Sequence, residues 1–131
     1  MLSPDDLLSA MLFAETAGMV IDSASPDEVI GTLAWAPERC TAGGLLHGGA
    51  LMTLADSAGA ACAFLNLPPG ANTTTVESST RFFRGVREGT VRAVARPLHA
   101  GRTTIAVQTD LYDSAGRRVA QTTQTQAVLK Q

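Results

Sequence analysis

The stretch Gly43-Gly44-Leu45-Leu46-His47-Gly48-Gly49-Ala50-Leu51-Met52-Thr53-Leu54-Ala55-Asp56-Ser57-Ala58-Gly59 decides the reading of this chain. From Gly48 to Leu65 the residues are Ala, Leu and Met rich and free of proline, the pattern of a helix. That helix is apolar nearly all round, so it is expected to be buried on most sides. Residues 40 to 47 form a loop before it, and Pro68-Pro69-Gly70 breaks it.

Beyond the break the text changes character. Thr73 to Phe83, Thr90 to Leu98, Thr103 to Tyr112 and Arg117 to Leu129 are β-branched segments. Turn signals at Arg84 to Gly89, His99-Ala100-Gly101 and Asp113 to Gly116 separate them. Alternation is visible in Val91, Ala93 and Ala95 and in Ile105, Val107, Thr109 and Leu111. The short connections predict antiparallel neighbours in chain order. Upstream, Met19 to Ser23 and Val29 to Ala36 read as two more strands around a Ser25-Pro26-Asp27 turn, with Val29, Gly31, Leu33 and Trp35 on one face. Ser3-Pro4-Asp5-Asp6 starts a small leading helix, with a hydroxyl cap, proline in the first turn and a carboxylate three residues after the cap. Leu7, Leu8, Met11 and Leu12 continue it toward Gly18.

The expected fold is therefore α+β, a single domain over residues 1–131. One long central helix is wrapped by a five- to six-stranded, mostly antiparallel sheet. One helix covers only one face of such a sheet, and an open sheet leaves edges unpaired, so pairing of two copies is expected.

Composition narrows the function. The 131 residues carry 10 Lys and Arg against 12 Asp and Glu, a formal charge of -2, and 45% are hydrophobic. This describes one domain able to bury a sizeable core, not a disordered or fibrous chain. Asp56 interrupts the longest apolar stretch, Leu45 to Leu67, before it reaches the roughly 20 residues of a membrane span. No basic residue precedes Arg39, so the amino end does not read as a secretory or transit signal, and a cytoplasmic location is the expectation. Cys40 and Cys62 are 22 residues apart, and with His47 and His99 they fit no zinc or redox pattern. Cys62 reads as a small core residue. Residues 1 to 56 hold eight acids and only Arg39, while residues 57 to 131 hold four acids against eight Arg and Lys130. Those arginines suit a small polyanionic ligand or a solvated sheet face. Their alternation with acids, and an aromatic content of 5%, disfavour nucleic acid.

Two features of the central helix carry chemistry. Gly48 and Gly49 stand at its start, where first-turn N–H groups lack helical partners and the dipole end is positive. Glycine there lets a ligand reach the backbone and suits an oxyanion, although plain close packing would also call for it. Asp56 is a carboxylate among Leu51, Leu54, Ala55, Ala58, Ala60, Ala61 and Cys62. Such a group is either satisfied by a hydroxyl or backbone N–H, or is a base or nucleophile with its pKa displaced. His47 and Asp56 lie nine residues apart, on opposite sides of a helix and about 13 Å along it. One Asp56 then cannot reach its own Gly48, and cooperation requires two antiparallel copies of the helix around a twofold axis.

Leu46-His47-Gly48-Gly49 followed by Leu54-Ala55-Asp56 resembles the signature of the hotdog-fold acyl-CoA thioesterases, specifically the phenylacetate-pathway and 4-hydroxybenzoyl-CoA type. The resemblance covers essentially the whole chain. It implies a hotdog fold and hydrolysis of an aromatic or medium-chain acyl-CoA to free acid and CoA. It places Gly48 N–H on the thioester carbonyl and makes Asp56 of the facing subunit the base or nucleophile. By the same resemblance His47 shapes the oxyanion end and Thr75, with Thr74 as its neighbour, holds the attacking water. The loop position six residues before the His is usually an amide, and here it is Thr41. Arg84, His99 and Arg102 are the implied contacts of the CoA phosphates. Leu51, Leu54 and Phe82 are expected along the acyl group. The implied partners are an acyl-CoA substrate and a second copy of the chain, as a homodimer and further as a dimer of dimers; no cofactor or metal is implied. Two other readings belong to the same fold: an acyl-CoA binding module without turnover, and an enoyl-CoA hydratase. The hydratase fits less well with the His47–Asp56 separation.

Overall fold

A computed structural model describes residues 2–130. In chain order it contains α1 (Pro4–Ala10), α2 (Leu12–Ala17), β1 (Met19–Ala24), β2 (Val29–Ala34), α3 (Gly48–Leu65), β3 (Asn72–Phe82), β4 (Thr90–Ala100), β5 (Thr104–Tyr112) and β6 (Arg118–Leu129), with two short 3-10 turns in the loop before α3. The six strands form one sheet in the order β1-β2-β4-β5-β6-β3, and every neighbouring pair is antiparallel. The sheet wraps α3, which is the hotdog architecture.

Burial explains why α3 is so apolar. It is long and apolar enough, by length and composition alone, to cross a membrane, yet half of it is buried within this chain. Leu51, Leu54, Ala55, Ala58, Ala61 and Cys62 pack on Val29, Leu33, Val91, Ala93, Ala95, Ile105, Val107 and Leu111, the alternating residues of β2, β4 and β5. Burial pushes the Cys62 thiol up to about 11, with the charge of Asp27 adding to the effect. One stripe of the helix stays uncovered. Met52, Asp56 and Phe64 are exposed, and Gly48 and Ala60 partly so, all at four-residue spacing.

Two expectations need correction. The leading helix is two helices, broken at Met11, whose backbone leaves the helical region at φ -107, ψ 77. The break lets α1 lie on β1 while α2 reaches α3. Ser3 makes the expected capping box with Asp6, and Gly18 closes α2 in the left-handed conformation.

The second correction is topological: β3 and β4 are not neighbours. The side of β4 that β3 was expected to occupy is taken by β2, from Val29↔Ala95 to Ala34↔Thr90. β3 lies instead at the far edge, against β6. The segment after β3 crosses between these positions as a pinned connection. Phe83 N–H and Arg84 N–H donate to Val119 O, Leu46 N–H donates to Val86 O, and Trp35 N–H donates to Gly89 O. A short connection predicts pairing only when both flanking strands have a free edge.

Candidate functional site

The loop before α3 is closed upon itself. Cys40 and Leu46 bridge as an isolated β pair, Thr41 N–H donates to Leu45 O, and Gly43 and Gly44 turn the chain at φ 84 and 77. Only glycine adopts two consecutive positive φ values without strain. Arg39 ties this loop to the rest of the protein: its Nε donates to Ala17 O at 2.8 Å and its Nη1 to Ala34 O at 2.9 Å. The one basic residue of the first 56 is thus a brace, and its carbonyl accepts the His47 N–H.

His47 is the N-cap of α3, and its Nδ1 accepts from Gly49 N–H at 2.8 Å. A Cβ at residue 49 would lie 2.9 Å from that nitrogen, so Gly49 makes room for the cap. The cap leaves Gly48 N–H without a partner among the described residues. Gly48 faces the ring of Phe82, whose Cζ would be 3.3 Å from a Cβ placed there. The two glycines are therefore close-packed, and one of their N–H groups is also free.

Gly48 opens onto a cavity of about 310 Å³ with Thr41, Leu51, Phe82 and Arg84 in its walls. The structure thus brings together Gly48, Thr41 and Arg84 from the expected set. His47 lines a different hollow, with Arg39, Gly49 and Thr53. Leu51 and Leu54 are buried, whereas Phe82 is half-exposed.

Asp56 sits in the middle of α3, on the uncovered stripe. Unlike a carboxylate enclosed in an apolar core, it is exposed, and it lines a hollow with Met11, Phe13, Thr53 and Ala60. Its Oδ1 accepts from Thr75 Oγ1 and from Gln124 Nε2, each at 3.2 Å. Behind Thr75, Gln126 Nε2 donates to Thr75 Oγ1 at 2.6 Å, and the Thr73 hydroxyl is within donating distance of Gln126 Oε1 at 3.1 Å and of Ala127 O at 2.9 Å. Thr75, which the resemblance implies holds the attacking water, here bonds Asp56 of its own chain; Thr74 takes no part in these bonds.

A β-bulge makes the geometry possible. The register of β3 on β6 slips between Thr75 and Glu77, so Val76 is the extra residue. Before it Thr73 and Thr75 face α3; after it Thr80 and Phe82 do, with Thr80 Oγ bonded to Thr122 Oγ at 2.7 Å. Without the bulge, strict alternation would send either Thr75 or Phe82 outward.

Within one protomer Asp56 and Gly48 line separate cavities. Arg84 also stands apart from His99 and Arg102. Arg84 follows β3 at the sheet end where α3 begins, whereas His99 and Arg102 lie at the β4–β5 hairpin at the opposite end. Sequence reasoning missed Gln124 and Gln126, both fully buried on β6. Thr122, Gln124 and Gln126 stand at two-residue spacing, which in the sequence reads as the solvated face of a polar strand; only the position of β6 inside the sheet turns that face inward.

Comparison with known proteins places the chain in a family. Residues 43–120 match the model of the thioesterase superfamily. The chain is 37% identical over 86 residues to the proofreading thioesterase EntH of Cronobacter sakazakii, a match covering 66% of this chain and 63% of that protein. It is 36% identical over 86 residues to the 1,4-dihydroxy-2-naphthoyl-CoA hydrolase of Escherichia coli, again 66% and 63% of the two chains. The match thus spans less than two thirds of each of these relatives. Among solved structures, a mutant thioesterase of Pseudomonas aeruginosa superposes with a TM-score of 0.92 at 26% identity, covering 98% of this chain and 95% of that one. A thioesterase of Haemophilus influenzae superposes with a TM-score of 0.93, covering 99% and 92%; at 23% identity it shows the fold alone.

Proposed function

We propose, because this chain belongs to the thioesterase superfamily, that it hydrolyses acyl-CoA thioesters at two equivalent sites built across a twofold axis. The observation that carries the reading is the uncovered stripe of α3. It holds a free N–H donor at Gly48, a hydrogen-bonded carboxylate at Asp56, and apolar Met52 and Phe64 that a second copy of the helix would cover. β3 lies at the sheet edge beside this stripe, with no strand on its outer side among the described residues. Two β3 edges pairing antiparallel would set the two α3 helices face to face, each Gly48 toward the partner's half of the stripe.

In the proposed reaction the thioester carbonyl accepts from Gly48 N–H, the donor placed where negative charge develops. Asp56 of the facing copy takes a proton from water as it adds to the carbonyl carbon, or attacks that carbon itself to form an anhydride that water hydrolyses once CoA has left. The carbon–sulfur bond then breaks and CoA leaves as the thiolate. An antiparallel pair also brings the hairpin end of one protomer toward the Arg84 end of the other. His99 and Arg102 would meet the CoA phosphates with Arg84 only in that arrangement.

An aromatic or medium-chain acyl group is the proposed substrate, of the phenylacetate or 4-hydroxybenzoyl type. The name of the Escherichia coli relative, a hydrolase of an aromatic acyl-CoA, supports the aromatic part. The test is release of free CoA thiol from short, medium, long and aromatic acyl-CoAs, with Asp56→Asn alongside. Turnover that is highest on aromatic or medium chains and vanishes in the variant is expected. Best activity on acetyl-CoA or palmitoyl-CoA would overturn the substrate assignment. Thr41 at the usual amide position favours one other reading, an acyl-CoA binding module; no turnover, with acyl-CoA still raising the melting temperature, would establish it.

A further inference from the structure

A sheet packed on a buried helix usually presents aliphatic side chains to it, yet the inward face of β6 presents Thr122, Gln124 and Gln126, each no more than 1% exposed. Burying an amide without compensation is costly, so where these two amides spend their hydrogen bonds is informative. Both turn their nitrogen toward the same carboxylate. Gln124 Nε2 donates directly to Asp56 Oδ1, and Gln126 Nε2 donates to the Thr75 hydroxyl that in turn donates to Oδ1.

The direction of each bond matters. Thr75 has one hydroxyl proton. With Gln126 Nε2 donating into its oxygen, that proton is left for Asp56; with the amide reversed, Gln126 Oε1 would compete for it. Thr73 Oγ1 shares its one proton between Gln126 Oε1 at 3.1 Å and Ala127 O at 2.9 Å, and to that extent favours the first orientation. At Gln124 a reversed amide would set its oxygen against the carboxylate. The orientation present leaves Gln124 Oε1 buried and without a partner, packed where Gly59 has no side chain. An orphaned buried carbonyl is costly and calls for an explanation.

We infer that Gln126, acting through Thr75, and Gln124, acting directly, are positioning residues that hold Asp56 by Oδ1 and leave Oδ2 as the reacting oxygen. Among the described residues, both side-chain bonds to Asp56 end on Oδ1. Thr75 on this view orients the carboxylate, with its proton committed to Asp56. The inference rests on the reading of Asp56 as base or nucleophile.

The test is a steady-state kinetic cycle on the full chain with its best acyl-CoA, comprising Gln126→Glu, Thr75→Val, the double variant and Asp56→Asn. Gln126→Glu retains an acceptor for Thr73 but no donor for Thr75, so the Thr75 proton turns away from Asp56. Its kcat is expected to fall by about tenfold or more, the scale of one hydrogen bond to a charged group, with KM held within about twofold. In the Thr75→Val background the same change should cost clearly less, since only the through-space repulsion between the new carboxylate and Asp56 remains. An equal further loss in that background, a rise in KM at constant kcat, or unchanged kcat would each overturn the inference. Should melting show Gln126→Glu unfolded, Gln124→Met removes the direct bond to Oδ1: a lower kcat at constant KM supports the inference, and unchanged kcat overturns it. The two readings fail separately. Turnover surviving Asp56→Asn removes Asp56 from the chemistry, whereas an inactive Asp56→Asn beside a fully active Gln126→Glu removes only the relay.

Discussion

β3 and β6 lie side by side from Asn72↔Leu129 to Phe82↔Ala120, and both are rich in threonine, yet they live in different solvents. β3 is exposed along almost its whole length. β6 buries alternate residues from Ala120 to Gln126. The difference is position in the sheet: β6 is flanked on both sides and covered by α3, while β3 has one neighbour. Polar residues on β6 must therefore find partners inside the protein, and they find Asp56 and β3. The open edge of β3 must find partners outside it. The proposed site is where these demands meet, with an internal network ending on a carboxylate at a surface suited to a second copy.

The largest effect is expected at the meeting point itself. Asp56→Asn is nearly isosteric and keeps the helix intact, so kcat should drop by several orders of magnitude while the chain stays folded and self-associated. Thiol release together with sedimentation would check both halves of the claim. Undiminished turnover would leave the β6 network without a catalytic purpose.

The open edge can be broken on its own. Val76 is 61% exposed at the bulge, Glu77 follows it, and Ser79 is exposed further along β3. Placing acids at both flanking positions, Val76→Glu with Ser79→Glu, would bring like charges together when two β3 strands pair antiparallel. The expected product is a folded single chain by sedimentation and circular dichroism, with activity reduced at least about tenfold because each site loses its second half. A folded monomer with full turnover would show that one protomer suffices.

The closed side can be broken at Gly59. A Cβ there would overlap the Gln124 side chain, so Gly59→Ala is expected to lower stability by about 1–3 kcal/mol by overpacking, despite the better helix propensity of alanine. It should also lower kcat as Gln124 is driven off Asp56. A variant that melts higher with unchanged kcat would show that Gln124 has room to move and that its bond to Asp56 is dispensable.

Legibility followed the same division between local and distant causes. The cap at Ser3, the bounds of α3, the turn glycines and the alternation in β4 and β5 are local and could be read directly. Asp56 and Gly48 stood out because each violates its surroundings, a charge in an apolar run and a glycine pair at a helix start. What could not be read depends on who occupies a neighbouring edge. The β3–β4 turn looks like a hairpin until β2 is known to fill the edge of β4. Gln124 and Gln126 look like surface residues of a polar strand until β6 is known to be internal. The bulge at Val76, which sets Thr75 and Phe82 on one face, leaves no mark in a sequence of threonines and serines.

The smallest effect sharpens the comparison, because it isolates a part of the β3–β6 seam that does not touch Asp56. Thr80 Oγ and Thr122 Oγ share one hydrogen bond at 2.7 Å, and Thr122 is 1% exposed. Thr80→Val alone removes that partner and leaves the Thr122 hydroxyl buried, at an expected cost of about 1–3 kcal/mol. Thr80→Val with Thr122→Val replaces both hydroxyls by methyl groups of similar shape and should recover most of that loss. Denaturant midpoints for the singles and the double would show it. Through the whole series kcat should stay level, since this bond lies on the far side of the bulge from Thr75. A parallel fall in kcat would mean that the seam moves as one body, and that the glutamines influence Asp56 through the stiffness of the strand pair as much as through their own hydrogen bonds.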